Sequence, residues 1–244
     1  MASRYWVLGT ADWTAINTAN WSATSGGAGG ETVPTTSDDV FFDANSGGGN
    51  PALGVGYAAQ CHDFSCLTGA PTLIGSSGSL NISGSFDNSG KKLIIFNSPI
   101  IFNATTSETI TWYSGTTLNA LISASITFDG VGGVWTSQIA AFVDAMTLTN
   151  GTFDANNFNV SLTDVTTGRF SSSNSNTRVL TMGSGIWTLS GTGTVWDTST
   201  STNLTLNANT SQIRLTNSSA TARTVTCNSA PINHLHIKAG SGTA

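Results

Sequence analysis

From about Leu80 onward, apolar residues come in pairs separated by one polar residue. Ile126-Thr127-Phe128, Leu180-Thr181-Met182, Leu204-Thr205-Leu206 and Val225-Thr226-Cys227 all read apolar–Thr–apolar. An extended chain alternates its side chains, so each triplet turns both apolar residues to one face and its Thr to the other. Asp129, Gly183, Asn207 and Asn228 follow the four triplets, and all are residue types that favour turns. The burst from Met146 to Asn150 fits the same series with a one-residue slip. A second series trails the first: Phe158-Asn159-Val160, Trp187-Thr188-Leu189, Ile213-Arg214-Leu215 and Leu235-His236-Ile237, at intervals of 29, 26 and 22 residues. Intervals in the first series are 22, 24 and 21, apart from a gap of 32 between Leu148 and Leu180. That gap contains "SSSNSNTR" (Ser171 to Arg178), which reads as a protruding loop.

A drifting period of roughly 20 to 30 residues, with short strands in each repeat, is the pattern of a solenoid. One repeat cannot bury its apolar face alone, and stacked repeats make a continuous core. The fold expected is all-β: a right-handed parallel β-helix with an N-terminal β cap. Asn207 and Asn228 are expected to stack as an amide ladder at equivalent turns. About 23 residues per coil over the repeat region corresponds to roughly seven coils, spaced about 4.8 Å apart. The alternative is an antiparallel β-sandwich or jelly roll, which also produces many short strands. Asn150-Gly151 and Asp129-Gly130 are the hairpin signals that favour it.

Residues 1–50 differ from the rest. Trp6, Trp13 and Trp21 fall close together, "GGAGG" (Gly26 to Gly30) follows, and "DVFFD" reads as a strand before the Gly47–Gly49 loop. This segment is read as a cap or attachment module, and 51–244 as the repeat region. An apolar triplet so close to Ala244 leads us to expect either further chain or a covering partner, since an open solenoid end is a template for pairing.

Composition narrows the functional classes. Charged residues are 9% of the 244 and hydrophobic ones 39%, too apolar for a disordered polyelectrolyte. Thr, Ser, Asn and Gly dominate, and they supply strands and turns rather than helices. Eight Lys and Arg spread over the chain give no basic face, which excludes nucleic acid as a partner. No stretch approaches the roughly 20 apolar residues of a membrane span, and "MASRYWVLGTADW" has no apolar core of a signal peptide. Three cysteines, Cys61, Cys66 and Cys227, do not suggest a disulfide framework and are compatible with synthesis in a reducing cytoplasm.

Candidate chemistry is sparse. Cys61-His62-Asp63…Cys66 lacks the second ligand pair of a zinc site. Asp38, Asp39 and Asp43 lack the spacing of a calcium loop and read as turn carboxylates. No metal or other cofactor is expected. "SGKK" (Ser89 to Lys92) is not a phosphate loop. A glycan hydrolase needs two carboxylates about 5 to 9 Å apart. The acids available are Glu108, Asp129, Asp154, Asp164 and Asp197. Asp129 and Asp154, 25 residues apart, are the pair that adjacent coils could bring together. A lyase would also need a nearby cation, and Arg169 and Arg178 are the basic residues of that section. Trp135, Trp187 and Trp196 are candidates for sugar stacking or, preferably, for burial between subunits. Trp187 follows Ile186, so one of the two must face outward.

The words "RYWV" (Arg4 to Val7), "NWS" (Asn20 to Ser22), "VPT" (Val33 to Thr35) and "DDVFFD" (Asp38 to Asp43) resemble the start of a group of tailed-phage and viral-metagenome virion proteins. "TNGTFDANNFNV", "MGSGIWTLSGTGTVWDTSTSTNLTLNA" and "IRLTNSSATARTVT" are similar to the repeat region of that group. The resemblance implies a non-enzymatic virion structural protein in a tail fibre, spike or capsid-surface decoration, made in the host cytoplasm. It also implies a homo-oligomer, a trimer, that meets other virion proteins and host cell-surface glycan. It places Cys61 and Phe64 in an early coil strand as packing residues, and carries over no catalytic motif.

Overall fold

A computed structural model describes residues 1–75, 77–90, 94–96, 98–113 and 122–237, without the side chains of 94–96 and 122–124. Lys91 and Lys92 of "SGKK" and residues 238–244 lie outside the described residues. The protein is all-β: among the described residues the regular structure is strand, apart from a three-residue 3-10 turn at Thr18–Asn20. No helix among them is long and apolar enough to cross a membrane. The chain divides into two compact units, Met1–Ala104 with Glu108–Ala124, and Thr105–Ser107 with Ser125–Ala244.

In the first unit, strands one repeat apart pair in parallel, forming three ladders. The first runs through Ala2–Trp6, Asp38–Phe42, Phe64–Cys66 and Phe86–Asp87. Its register aligns Val40, Phe64, Phe86 and Ile110, all of them buried. The second joins Asp12–Trp13, Ala52–Leu53, Ile74–Gly75 and Ile94–Phe96. The third joins Ala58–Cys61, Ser79–Ile82 and Ile100–Phe102, aligning Ala59 with Leu80 and Ile100, and Cys61 with Ile82 and Phe102. Alternation puts these residues inside and Asn81 and Gln60 outside. Phe42, Phe64, Phe86, Phe102 and Trp112 touch in sequence along the interior, with ring centroids 5.4 to 6.4 Å apart.

One described pairing is antiparallel. Trp21–Ser22 folds back on Ala2–Trp6, setting Trp6 opposite Trp21 and Tyr5 opposite Ser22. It ends the first ladder by occupying part of an edge that would otherwise be open. Gly9 (φ +66°) lets the turn after Ala2–Trp6 pass close to the Gly47–Gly49 loop, since a Cβ there would lie 2.2 Å from the Gly48 carbonyl oxygen.

The second unit repeats the plan. One ladder contains Val134–Ser137, Gly151–Asp154, Arg178–Thr181 and Leu204–Asn207. Another contains the first half of Ala141–Leu148, then Val160–Leu162, Ile186–Leu189, Gln212–Leu215 and His234–Ile237. The second half of Ala141–Leu148 starts a third, followed by Phe170–Ser171, Gly193–Asp197 and Arg223–Thr226. Apart from Trp21–Ser22, the described pairings are parallel, which is consistent with a solenoid and is not the pairing of an antiparallel sandwich or jelly roll.

The registers test the two sequence series. Trp187, Ile213 and Leu235 align, as do Leu189, Leu215 and Ile237, so three members of the second series share one ladder. Their partner in the preceding coil is Val160–Leu162 rather than Phe158–Val160, a slip of two residues that keeps the same face inward. The first series mixes ladders. Leu180 aligns with Leu206 rather than Leu204, and Val225 aligns with Trp196 in a different ladder. The amide ladder of Asn207 and Asn228 is likewise not formed. The Asn207 amide donates to Thr181 Oγ1 and the Asn228 amide to the Ser199 carbonyl. Asp12–Trp13 pairs with Ala52–Leu53 and Asp38–Phe42 with Phe64–Cys66, so two ladders run across residue 50.

Candidate functional site

At the corner leading from the third ladder of the first unit into the first, Cys61 points inward, His62 and Asp63 round the bend, and Phe64 points inward again. Strand Asp38–Phe42 of the preceding coil supplies Asp39. His62 Nδ1 lies 3.0 Å from Asp39 Oδ1 and 3.1 Å from Asp63 Oδ1. Asp39 Oδ1 also accepts the Asp63 N–H at 3.3 Å, and Asp63 Oδ1 accepts the Ser85 N–H of the next coil at 2.7 Å. Ser85 Oγ in turn donates to Glu108 Oε2 at 2.7 Å. Glycine at position 84 keeps the corner open, since a Cβ would sit 2.2 Å from Asp63 Oδ1.

Asp39, His62 and Asp63 each offer one ligand atom, all within 4.8 Å of one another. One imidazole nitrogen with two carboxylate oxygens is a donor set that could hold a divalent transition cation or zinc, with water completing the shell. The same geometry serves an imidazolium shared between two carboxylates. Sequence reading assigned no metal ligands and missed this grouping; the signal was the coil length, as Asp39 and His62 stand 23 residues apart. The neighbouring acids do other work. Asp38 Oδ2 accepts the N–H and hydroxyl of Thr35, and Asp43 Oδ1 accepts the Asn45 N–H. Cys61 and Cys66 are both buried in the interior. Burial, then the nearby Asp63 and Asp39 charges, push the Cys61 pKa well above its usual value, which disfavours the thiolate a metal would need.

All six tryptophans singled out in the sequence lie in the interior. Trp6, Trp13 and Trp21 are 0% exposed and form edge-to-face pairs at 5.1 and 4.9 Å. They plug the end of the first unit's core, so an attachment role for their rings is corrected to a packing role. Trp135, Trp187 and Trp196 are also 0% exposed and pack with Phe128, Phe153 and Phe170. They are therefore neither stacking platforms nor subunit contacts: the inward face of each coil needed its largest apolar side chain to fill the axis. Ile186, not Trp187, takes the outward place.

The candidate carboxylates disperse. Asp129 Oδ1 accepts the Asn150 amide at 2.7 Å, whereas Asp154 aligns with Thr136 and Thr181 and caps the Asn156 N–H. The expected Asp129–Asp154 pair does not form, because the two residues occupy different corners. Asp164 and Asp197 also cap turns, through Thr166 and Ser199 N–H groups. Arg178 is fully buried, whereas Arg169 is exposed and shares a groove with Asp197. No protein-family model, curated protein or solved structure matches the chain.

Proposed function

We propose that the two units are stretches of a right-handed parallel β-helix with an N-terminal β cap. Parallel crossovers within one sheet are right-handed in nearly all proteins. On this reading the chain is a non-enzymatic structural protein of a phage virion, in a tail fibre, spike or capsid-surface decoration. It is made in the host cytoplasm and assembles as a homotrimer beside other virion proteins, with host-surface glycan as the target of attachment. The observation that carries the reading is the outward surface of the coils. Asn81, Asn176, Asn203, Asn217 and Asn228 each donate a side-chain amide to a carbonyl of the preceding coil, across 22 to 29 residues. Ser173 pairs with Ser199 and Ser201 with Ser229 in the same manner. Such faces are rigid and almost uncharged, so they can pack against a copy or a neighbour without desolvating ions.

Size-exclusion chromatography with light scattering tests the assembly, and a stable monomer at micromolar concentration would count against it. Antibody labelling of intact particles tests the location. Release of oligosaccharide from capsular polysaccharide by the purified protein would overturn the non-enzymatic reading.

A further inference from the structure

Strand Gly193–Asp197 of the second unit breaks alternation. Val195 and Trp196 are both 0% exposed, and the register with Arg223–Thr226 shifts between Thr194 and Trp196. This is a β-bulge, a device that re-aims side chains on one strand. Trp196 is held inward by Phe170 at 4.6 Å and Trp187 at 6.0 Å. With two consecutive residues inside, the outward positions fall at Thr194 and Asp197, with no outward side chain between them. The notch left there is completed from the neighbouring coil, where Ser171 aligns with Asp197. The groove has a volume of about 300 Å³ and a mostly polar lining of Arg169, Ser171, Thr194 and Asp197.

Its polar groups are unspent. Arg4, Arg178, Arg214 and Arg223 each hydrogen-bond to protein groups; among the described residues the Arg169 guanidinium has no such partner. Asp197 uses Oδ1 to cap Ser199, 3.0 Å away, and its other oxygen faces no described donor. The Ser171 and Thr194 hydroxyls are also without a described partner. A guanidinium fork matches a carboxylate with two parallel hydrogen bonds, and a carboxylate oxygen beside two hydroxyls matches adjacent sugar hydroxyls.

We propose that this notch is a binding subsite for an acidic saccharide, its carboxylate seated on Arg169 and its ring hydroxyls shared among Ser171, Thr194 and Asp197. The proposal rests on the attachment role above and gives it a ligand class. A neutral sugar leaves Arg169 unpaired, and a ligand with anions at both ends meets Asp197.

The test is calorimetric titration of the full chain with an oligosaccharide of hexuronic acid, a neutral oligosaccharide of equal length and a short acidic peptide. The uronate is expected to bind about tenfold or more tightly than the other two, a preference that Arg169→Gln removes, whereas Asp197→Asn, which loses a charge-assisted bond to ring hydroxyls, should weaken both sugars and leave the preference in place. Thr205→Ala, outward on a different ladder, is expected to leave binding unchanged, and both groove variants should melt with the parent because the positions are at the surface. Equal binding of neutral and acidic sugars, equal binding of the peptide, no uronate binding, or an Arg169→Gln variant that binds like the parent would each overturn the proposal. Particle labelling keeps the two readings apart. A virion protein that ignores uronates loses the groove and keeps its role; a uronate binder not found in particles loses the role and keeps the groove.

Discussion

The two units share a plan of three parallel ladders but differ in how their coils cohere. In the first, the side-chain bonds along the Asp63 corner span 22 to 24 residues, although paired strands elsewhere in the unit are offset by anything from 20 residues, at Leu80 and Ile100, to 40, at Trp13 and Leu53. Near-equal spacing at this corner lets Asp39, His62 with Asp63, Ser85 and Glu108 follow one another on successive coils. The described arginine–carboxylate pairs lie in this unit, on Arg4, as do the close contacts of His62 with Asp39 and Asp63. In the second unit the corresponding spans vary from 19 to 29 residues, so extra residues are accommodated in loops. Those loops are tied by neutral acceptors around one buried cation. Arg178 donates to Ser172 Oγ, Asn174 Oδ1 and the carbonyls of Ser172, Asn176, Thr200 and Thr202. Burial lowers its pKa from the ordinary arginine value. Near-equal spacing at one corner thus permits a ladder of titratable side chains, whereas in the second unit one multi-armed donor gathers the backbone of two loops.

The largest effects should come from emptying either core. Phe64→Ala and Phe153→Ala each remove a fully buried ring, and each is expected to cost about 3 to 5 kcal/mol. Hydrogen exchange sharpens the comparison. Phe64→Ala should lower protection in the first unit and Phe153→Ala in the second; simultaneous loss in both would mean that the units unfold together.

Next in size is Arg178→Met, which strands carbonyls in two loops and should destabilise by about 3 kcal/mol. Arg178→Lys should recover less than half, because an ammonium cannot reach all of those acceptors. Denaturant unfolding would measure both, and a loss under about 1 kcal/mol for Arg178→Met would break the account of the second unit.

A smaller effect is expected at Asn203, which combines φ +58° with an amide donated to the Ser175 carbonyl at 2.9 Å. Asn203→Gly tolerates the backbone and loses the bond, costing about 1 kcal/mol; Asn203→Ala should cost more, since it adds left-handed strain. Equal melting temperatures for the two variants would remove the backbone half of that explanation.

The smallest is a pH dependence. The Thr167 backbone N–H, then that of Thr166 and the Thr167 hydroxyl, hold the Asp164 pKa below its usual value despite some burial. A folded pKa below the unfolded one gives stability that is present above about pH 4 and is lost as pH falls through the folded value. The stability difference between the parent and Asp164→Asn should therefore be level near neutrality and shrink in acid. A difference that stays constant down to pH 2 would show that the carboxylate charge is not involved.

Much of this was legible in the chain itself. Alternating triplets give inward and outward faces wherever the backbone is extended, so Trp187, Ile213 and Leu235 could be aligned from spacing alone. Thr, Asn and Gly specified strands and turns without reference to any distant residue, and Asp154, Asp164 and Asp197 were identifiable as turn carboxylates because an Asx turn reaches only two residues on. Spacing could not assign a triplet to a ladder when coil lengths vary, which is why Val225 was grouped with Leu204 although it lies beside Trp196. Exposure was also hidden. A Trp in a polar strand looks like a surface platform until the other two ladders close around it. The corner of Asp39, His62 and Asp63, the six acceptors of Arg178 and the notch at Thr194 are products of register between coils. Local periodicity settles which way a side chain points wherever the strand is regular, and only the stacked chain settles what it then meets and where, as at Val195 and Trp196, a bulge overrides the alternation.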